Sequence, residues 1–282
     1  ESLILIIMAG IMNGSFVIPM RFIKSASKEI IWLNYSIIGL IIIPWLLLLI
    51  MEPGAISQYS NLSANDTLFL IGGGLIFGIG QVCFAYAIGL VGMVLGFAIN
   101  LGLGVTIGSM FVVFYKSAFF SSQGYTVTLS VLLIIGSLMI YYFAGKNHQD
   151  NNAKHNHYHK GWALASIAGI ASGLQNIAFV TVANHASMIF KTTNSFWVWP
   201  PFLLAGAIPM TIGFLHRAKK TASHIHLLGL HDTGLIFLMG LFFTGSLALY
   251  SSGMSHLTHQ QEVIGWPAFM VAIILTSQLW GR

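Results

Sequence analysis

Ionised residues are scarce: only 7% of the 282 residues are charged, while 56% are hydrophobic. A soluble domain carries roughly a quarter charged residues, so this chain lacks the ionic surface that a water-facing exterior needs. Most of its outside is expected to face lipid. Cysteine is nearly absent too. Cys83 stands alone inside an apolar run, which excludes an intrachain disulfide and reads as a small packed residue. The apolar runs show no dyad alternation, so a membrane β-barrel is excluded. Lipid offers no partner for backbone N–H and C=O groups, which leaves helices.

Reading apolar runs between polar breaks gives nine spans: Leu3–Met20, Ile30–Met51, Thr67–Ile88, Gly92–Tyr115, Tyr125–Ala144, Trp162–Val182, Ser195–Leu215, Thr233–Met254 and Val263–Leu279. Each is close to the ~20 residues a helix needs to cross ~30 Å of hydrocarbon. The first run carries Asn13 and Pro19 and leads directly into Arg21 and Lys24, unlike a cleavable signal peptide. No Asp, Glu, Lys or Arg sits in the middle of any span. That absence disfavours a charged substrate held by a counter-charge, and an ion channel or pump built on a deep carboxylate. A membrane-embedded enzyme would need a nucleophile with its base, or paired acids, at membrane depth, and the spans show neither. The protein is therefore expected not to be an enzyme.

The formal charge of +5 would suggest nucleic acid in a soluble protein. Here the basic residues sit in short loops, where they report orientation instead, and no nucleic-acid partner is expected. With the amino terminus outside, inner loops hold Arg21, Lys24, Lys28, Lys146, Lys154, Lys160, Arg217, Lys219, Lys220 and Arg282, and outer loops hold only Lys116 and Lys191. That asymmetry selects an external amino terminus. Glu52 and Asp66 fall in the first outer loop and add little to the orientation.

One long polar stretch, residues 146–160, separates a first transmembrane repeat, 1–145, from a second, 161–282. Its histidines, His148, His155, His157 and His159, lack cysteine partners and regular ligand spacing; they read as a solvated loop, with no metal expected. Similar sequence recurs on either side. Ala9-Gly10-Ile11-Met12-Asn13-Gly14 echoes Ala168-Gly169-Ile170-Ala171-Ser172-Gly173, and Gly74-Leu75-Ile76-Phe77 echoes Gly240-Leu241-Phe242-Phe243. Five spans precede the linker, so related halves must be inverted copies, a signature of secondary transporters with a site near the midplane. The chain starts at Glu1 and stops at Arg282 where a helix is finishing. A piece is expected to be missing at both ends, the tenth helix among it.

Amides that exchange hydrogen bonds with hydroxyl groups lie within spans at Asn13, Gln81, Asn100, Gln175 and Asn176. Rings suited to a sugar's C–H face are Tyr86, Trp197, Trp199, Tyr250 and Trp266, of which Tyr86 and Trp266 are the leading stacking candidates. Glu262 is the acid best placed to be reached from a cavity, with His185, His256 and His259 toward the same side. Glu262 and His259 are the candidates for moving a proton. Glycines spaced by four, such as Gly10/Gly14 and Gly169/Gly173, permit close helix crossings.

Gly78-Ile79-Gly80-Gln81-Val82-Cys83-Phe84, then Gly89-Leu90-Val91-Gly92 and the glycine-rich stretch Gly96–Gly108, resemble the central signature of the L-rhamnose–proton symporter family. That family lies in the drug/metabolite transporter superfamily. Ile264-Gly265-Trp266-Pro267 through Ser277-Gln278-Leu279-Trp280-Gly281, and Gly14-Ser15-Phe16-Val17-Ile18-Pro19-Met20-Arg21, resemble its ninth and first helices. The resemblance implies ten helices in two inverted five-helix halves, an external amino terminus and sugar uptake driven by protons across a bacterial inner membrane. The sequence thus points to an all-α polytopic membrane protein that binds a neutral monosaccharide without a cofactor. Export of a metabolite or amphipathic compound, and a non-transporting receptor or scaffold, stand as alternatives.

Overall fold

A computed structural model describes residues 2–115, 122–147, 152–190, 194–221, 228–257 and 262–280. Every regular element among them is helical. The first span is α1 (Ser2–Ser15), followed by a 3-10 turn at Ile18–Phe22 with Pro19 in its first turn, where a missing N–H breaks no bond. The second is α2 (Lys28–Ile37), whose N-cap Ser27 accepts from Ile30 N–H, a π-turn at Ile38–Ile42, and α3 (Ile43–Met51).

Pro44 accounts for the π-turn. It has no N–H, and its ring crowds the carbonyl one turn back, so the regular ladder cannot continue. Ile43 N–H reaches five residues back to Ile38 O. The Gly39 carbonyl is then left without a helical partner, because the next N–H along would be that of Pro44. A side chain from another helix fills the vacancy: Thr244 Oγ1 donates to Gly39 O at 2.9 Å.

After the short α4 (Ala55–Gln58) comes α5 (Ala64–Tyr115), 52 residues long. A straight helix of that length would run about 78 Å, more than twice the hydrocarbon thickness. It does not run straight. Gly92 has φ +84° and ψ 167°, a left-handed position that glycine adopts without a Cβ clash, and the chain folds back there. Phe84 and Phe97 consequently meet with ring centroids 4.9 Å apart, where a continuous helix would hold their Cα atoms about 20 Å apart. The outgoing arm (64–91) and returning arm (93–115) are the third and fourth spans read from the sequence.

The remaining helices are α6 (Ser122–Asn147), α7 (Asn152–Phe190), α8 (Trp199–Lys220), α9 (Leu230–Ser255) and α10 (Glu262–Trp280). Among the described residues six helical stretches are long and apolar enough to cross a membrane, and Val127–Ile140 and Ala268–Trp280 are shorter apolar helices. Since Ala64–Phe111 is two arms, each of the nine apolar runs has its helix, and the chain is an all-α polytopic membrane protein. Large apolar side chains such as Ile4, Ile50, Leu133 and Ile212 point outward, where lipid replaces water as their solvent. Two sequence readings shift. Asp66 lies in the first turn of α5 and is 6% exposed, because the helix begins at Ala64 rather than Thr67. Helix also runs into the polar stretch at both described ends, to Asn147 and from Asn152.

Glycines set the crossings. A Cβ on Gly10 would lie 2.4 Å from Ala272 Cβ on α10, and one on Gly169 would lie 2.7 Å from Leu103 Cβ on the returning arm of α5. One on Gly240 would lie 2.6 Å from Gly39 Cα, and one on Gly206 would lie 2.9 Å from Gly74 O. Small residues let these backbones touch, which drives helix association where no hydrophobic effect operates.

Candidate functional site

Midway through the bundle the interior is filled by aromatic rings. Phe77, from the outgoing arm of α5, stacks on Phe243 of α9 with centroids 6.1 Å apart and planes 22° apart. Tyr35 of the second span lies 6.3 Å from Phe243, and Phe202 of α8 lies 6.2 Å from Phe77. Phe16 closes the cluster from beyond α1, 5.8 Å from Tyr35, 5.4 Å from Phe243 and 6.1 Å from Phe97. All of these rings are buried. Such tilted and offset pairs pack well without charge, which a bilayer interior demands.

Polar atoms border the rings. Gln81 stands one turn from both Phe77 and Phe84, on the stripe of α5 that faces them. Asn100 stands one turn from Phe97, the ring that meets Phe84 from the opposite arm. The carbonyl oxygens of Gln81 and Asn100 are buried without a hydrogen-bond partner, and so is the hydroxyl of Tyr35. Buried amides and hydroxyls in membrane helices are normally paired, so these three unpaired atoms call for an explanation.

The other residues singled out from the sequence are distributed around this centre. Gln175 is buried on the face of α7 that holds Ala171 against Gly80 and Ala178 against Gly73, so it borders the outgoing arm of α5. Asn176 faces the returning arm, its Nδ2 beside Gly108. Asn13 donates to Ser246 Oγ at 2.8 Å, and Ser246 donates to Phe243 O at 2.6 Å, tying α1 to α9. Tyr86 is drawn toward the basic end of α8, 5.6 Å from Phe214 with the Arg217 guanidinium 5.7 Å from its ring. Trp266 lies 5.7 Å from Tyr250 and 5.9 Å from Phe269, and its indole N–H is buried without a partner. Trp197, in the 3-10 turn Ser195–Val198 before α8, and Trp199, the first residue of α8, stack on Phe190 and Phe179 of α7. Gln81 and Asn100 thus stand one turn from rings of the cluster and Asn13 is tied to Phe243 through Ser246, while Gln175 and Asn176 sit where α7 packs on the two arms of α5, and Tyr86 and Trp266 pack against other rings. Tyr35, Phe16, Phe77 and Phe243 are central and were not among the sequence candidates.

Carboxylates guard the ends rather than the middle. Asp66 accepts from Ser63 Oγ at 2.7 Å and lies 3.7 Å from His185 Nδ1 on α7. Asp232, in the first turn of α9, is held by Ser25 and lies 2.9 Å from His231 Nδ1. His256 turns back onto Ser252 O at 2.7 Å. His259 and the Glu262 side chain lie outside the described residues. Among the described residues no group of three or more His, Cys, Asp or Glu is arranged to hold a metal ion. A groove of about 680 Å³ runs between α1 and α10, lined by Ile7, Ile11, Val271, Leu275 and neighbours. It is almost wholly apolar and opens sideways toward lipid, so it lacks the hydrogen-bonding groups that a hydroxylated solute needs.

The centre of this helical membrane bundle is thus uncharged, packed with rings and partly unsatisfied in its hydrogen bonds. The chain is 23% identical over 290 aligned residues to the L-rhamnose-proton symporters of Shigella dysenteriae serotype 1, Escherichia coli K12 and Shigella boydii serotype 18, covering 94% of this chain and 83% of each relative. The likeness read from the third, fourth and ninth spans is thus found along nearly the whole chain, and these relatives are named as symporters. No family model and no solved structure matches the chain.

Proposed function

We propose that the protein is a secondary transporter that carries a neutral monosaccharide, rhamnose or a relative of it, together with protons, by alternating access between two inverted halves. The observation that carries this reading is the contact of Tyr35 with Phe243, of Phe243 with Phe77 and of Phe77 with Phe202. The register that sets Gly74 against Gly240 in the sequence also sets Phe77 against Phe243, and these two rings stack on each other. It likewise sets Asp66 against Asp232, each in the first turn of its helix and each holding a neighbouring segment at one end of the bundle. With the second and seventh spans aligned one residue further on, Gly39 against Gly206 and Tyr35 against Phe202, the contacts Gly39–Gly240 and Gly206–Gly74 match, as do Tyr35–Phe243 and Phe202–Phe77. Gly10 and Gly14 meet α10 while Gly169 and Gly173 meet the returning arm of α5, again in matching places. Inverted halves place their substrate where they meet, near the midplane, and the unpaired atoms of Gln81 and Asn100 border that place.

Amides and rings there suit hydroxyl groups and C–H faces, and no fixed charge selects an ion. Asn13, Gln175, Asn176, Tyr86 and Trp266 remain proposed contributors as the halves rock, and Glu262 and His259 the proposed proton carriers. The charge asymmetry of the loops supports an external amino terminus in a bacterial inner membrane. Reconstitution in liposomes tests the proposal: labelled rhamnose or another monosaccharide should enter saturably under an imposed pH gradient. Absence of saturable uptake of any sugar would reject it, and outward movement of amphipathic metabolites would favour an exporter.

A further inference from the structure

The geometry points to Tyr35 as a solute-recognition residue: we infer that its hydroxyl hydrogen-bonds to a hydroxyl of the bound monosaccharide. The inference rests on the sugar-carrying reading above. Three observations carry it.

Tyr35 is 0% exposed, and its hydroxyl has no hydrogen-bond partner. An unpaired hydroxyl in an apolar interior is unfavourable, so its presence needs a reason. Packing does not supply one. The corresponding position in the other half is Phe202, which makes the matching ring contact, 6.2 Å to Phe77 against 6.3 Å from Tyr35 to Phe243. Phe202 fills that place without a hydroxyl, so the oxygen of Tyr35 is not required by the fold. It is an asymmetric addition to a symmetric ring cluster, and a sugar is an asymmetric ligand.

The third observation is complementarity. Two paths of rings join Tyr35 to the amides: Phe16 bridges it to Phe97, one turn from Asn100, and Phe243 bridges it to Phe77, one turn from Gln81. The two amide carbonyls are acceptors and need donors; the phenol donates and accepts. Vicinal hydroxyls of a sugar supply both, while the ring faces receive its C–H surface. An ionised ligand would find no counter-charge there.

Purified wild type and Tyr35→Phe provide the test, by thermal unfolding in detergent with and without L-rhamnose and a panel of pentoses, hexoses and deoxyhexoses. The unliganded variant should unfold at the same temperature as wild type or higher, since only an unpaired hydroxyl has gone. Its affinity for the sugar that stabilises wild type should fall roughly tenfold, the scale of one lost hydrogen bond in a buried site. One monodeoxy form of that sugar, missing the partner hydroxyl, should bind wild type and variant equally. Unchanged affinity in Tyr35→Phe would overturn the assignment while leaving sugar carriage intact. A large drop in unliganded stability would overturn it too, by making the hydroxyl structural. Wild type that responds to no sugar would sink the sugar reading itself, and the assignment with it.

Discussion

Two helix crossings that the proposed inverted halves would pair are built differently. Where the outgoing arm of α5 meets α8, both backbones stay α-helical, and contact is reached by removing side chains: Gly74 and Gly78 lie against Gly206 and the Phe202 carbonyl. Where α9 meets the second span, Gly240 lies against Gly39, yet there the helix is a π-turn forced by Pro44, and Thr244 satisfies the carbonyl left over. The lesson is that close approach alone needs only glycine, whereas a break in the ladder also needs a hydrogen-bond donor from across the crossing.

Glycine at the first crossing should be the least replaceable. A Cβ on Gly78 would sit 2.0 Å from Gly206 O and 2.6 Å from Pro209 Cγ, neither of which is a flexible side-chain end. Gly78→Ala should therefore lose at least ~1–3 kcal/mol of stability in thermal unfolding, as overpacking does. Gly72, two turns earlier on the same arm, has nothing within 4 Å of its ideal Cβ. Gly72→Ala should be neutral or gain up to ~1 kcal/mol from helix propensity. Equal behaviour of the two variants would break the claim that glycine acts through the crossing.

The second crossing gives a smaller but more specific effect. Thr244→Val keeps the shape and leaves the Gly39 carbonyl unpaired, for an expected loss of ~1–3 kcal/mol. Thr211 bridges to Ser36 Oγ at 2.8 Å, but Ser36 also donates to Leu33 O at 2.7 Å, so Thr211→Val strands nothing and should lose under ~1 kcal/mol. Pro44→Ala returns an N–H to the π-turn and should recover most of the loss in the Thr244→Val background. No recovery would detach the hydroxyl's role from the missing backbone donor.

Much of this was legible beforehand, and the remainder was hidden for physical reasons. Apolar runs revealed the spans because lipid imposes length and composition, and the echoes at Gly10/Gly169 and Gly74/Gly240 were visible because crossings constrain residue size strongly. Of the candidate site, Gln81, Asn100 and Gln175 stood out as amides in apolar runs. Tyr35 and Phe243 did not, since one more ring within Ile30–Met51 or Thr233–Met254 reads as packing. A register between the second and seventh spans, pairing Gly39 with Gly206, would have set Tyr35 against Phe202 and exposed the extra hydroxyl. Asp66 reads as a loop residue because the apolar pattern starts at Thr67, although Ser63 and Asp66 have the spacing of a helix N-cap with its partner.

The crossing helices also differ at their ends, and that gives the smallest effect. The last turn of α8 holds Arg217, Lys219 and Lys220, favourable against the negative end of a helix dipole, whereas α3 finishes at Glu52, which repels it. Partial burial pushes the Glu52 carboxyl above the ordinary carboxylate range. The folded protein therefore holds that proton more tightly than the unfolded chain does. Stability from this group is fully present below the ordinary carboxylate pKa of about 4.3, and is lost as pH rises through the raised folded value. Glu52→Gln removes the titration and the repulsion together, so at neutral pH it should unfold slightly later than wild type, by about 0.5 kcal/mol or less. Melting curves across this pH range should show the difference opening upward from acid pH; a difference that is constant with pH, or that favours Glu at neutrality, would show that the end of α3 holds its acid through a contact other than burial and the dipole.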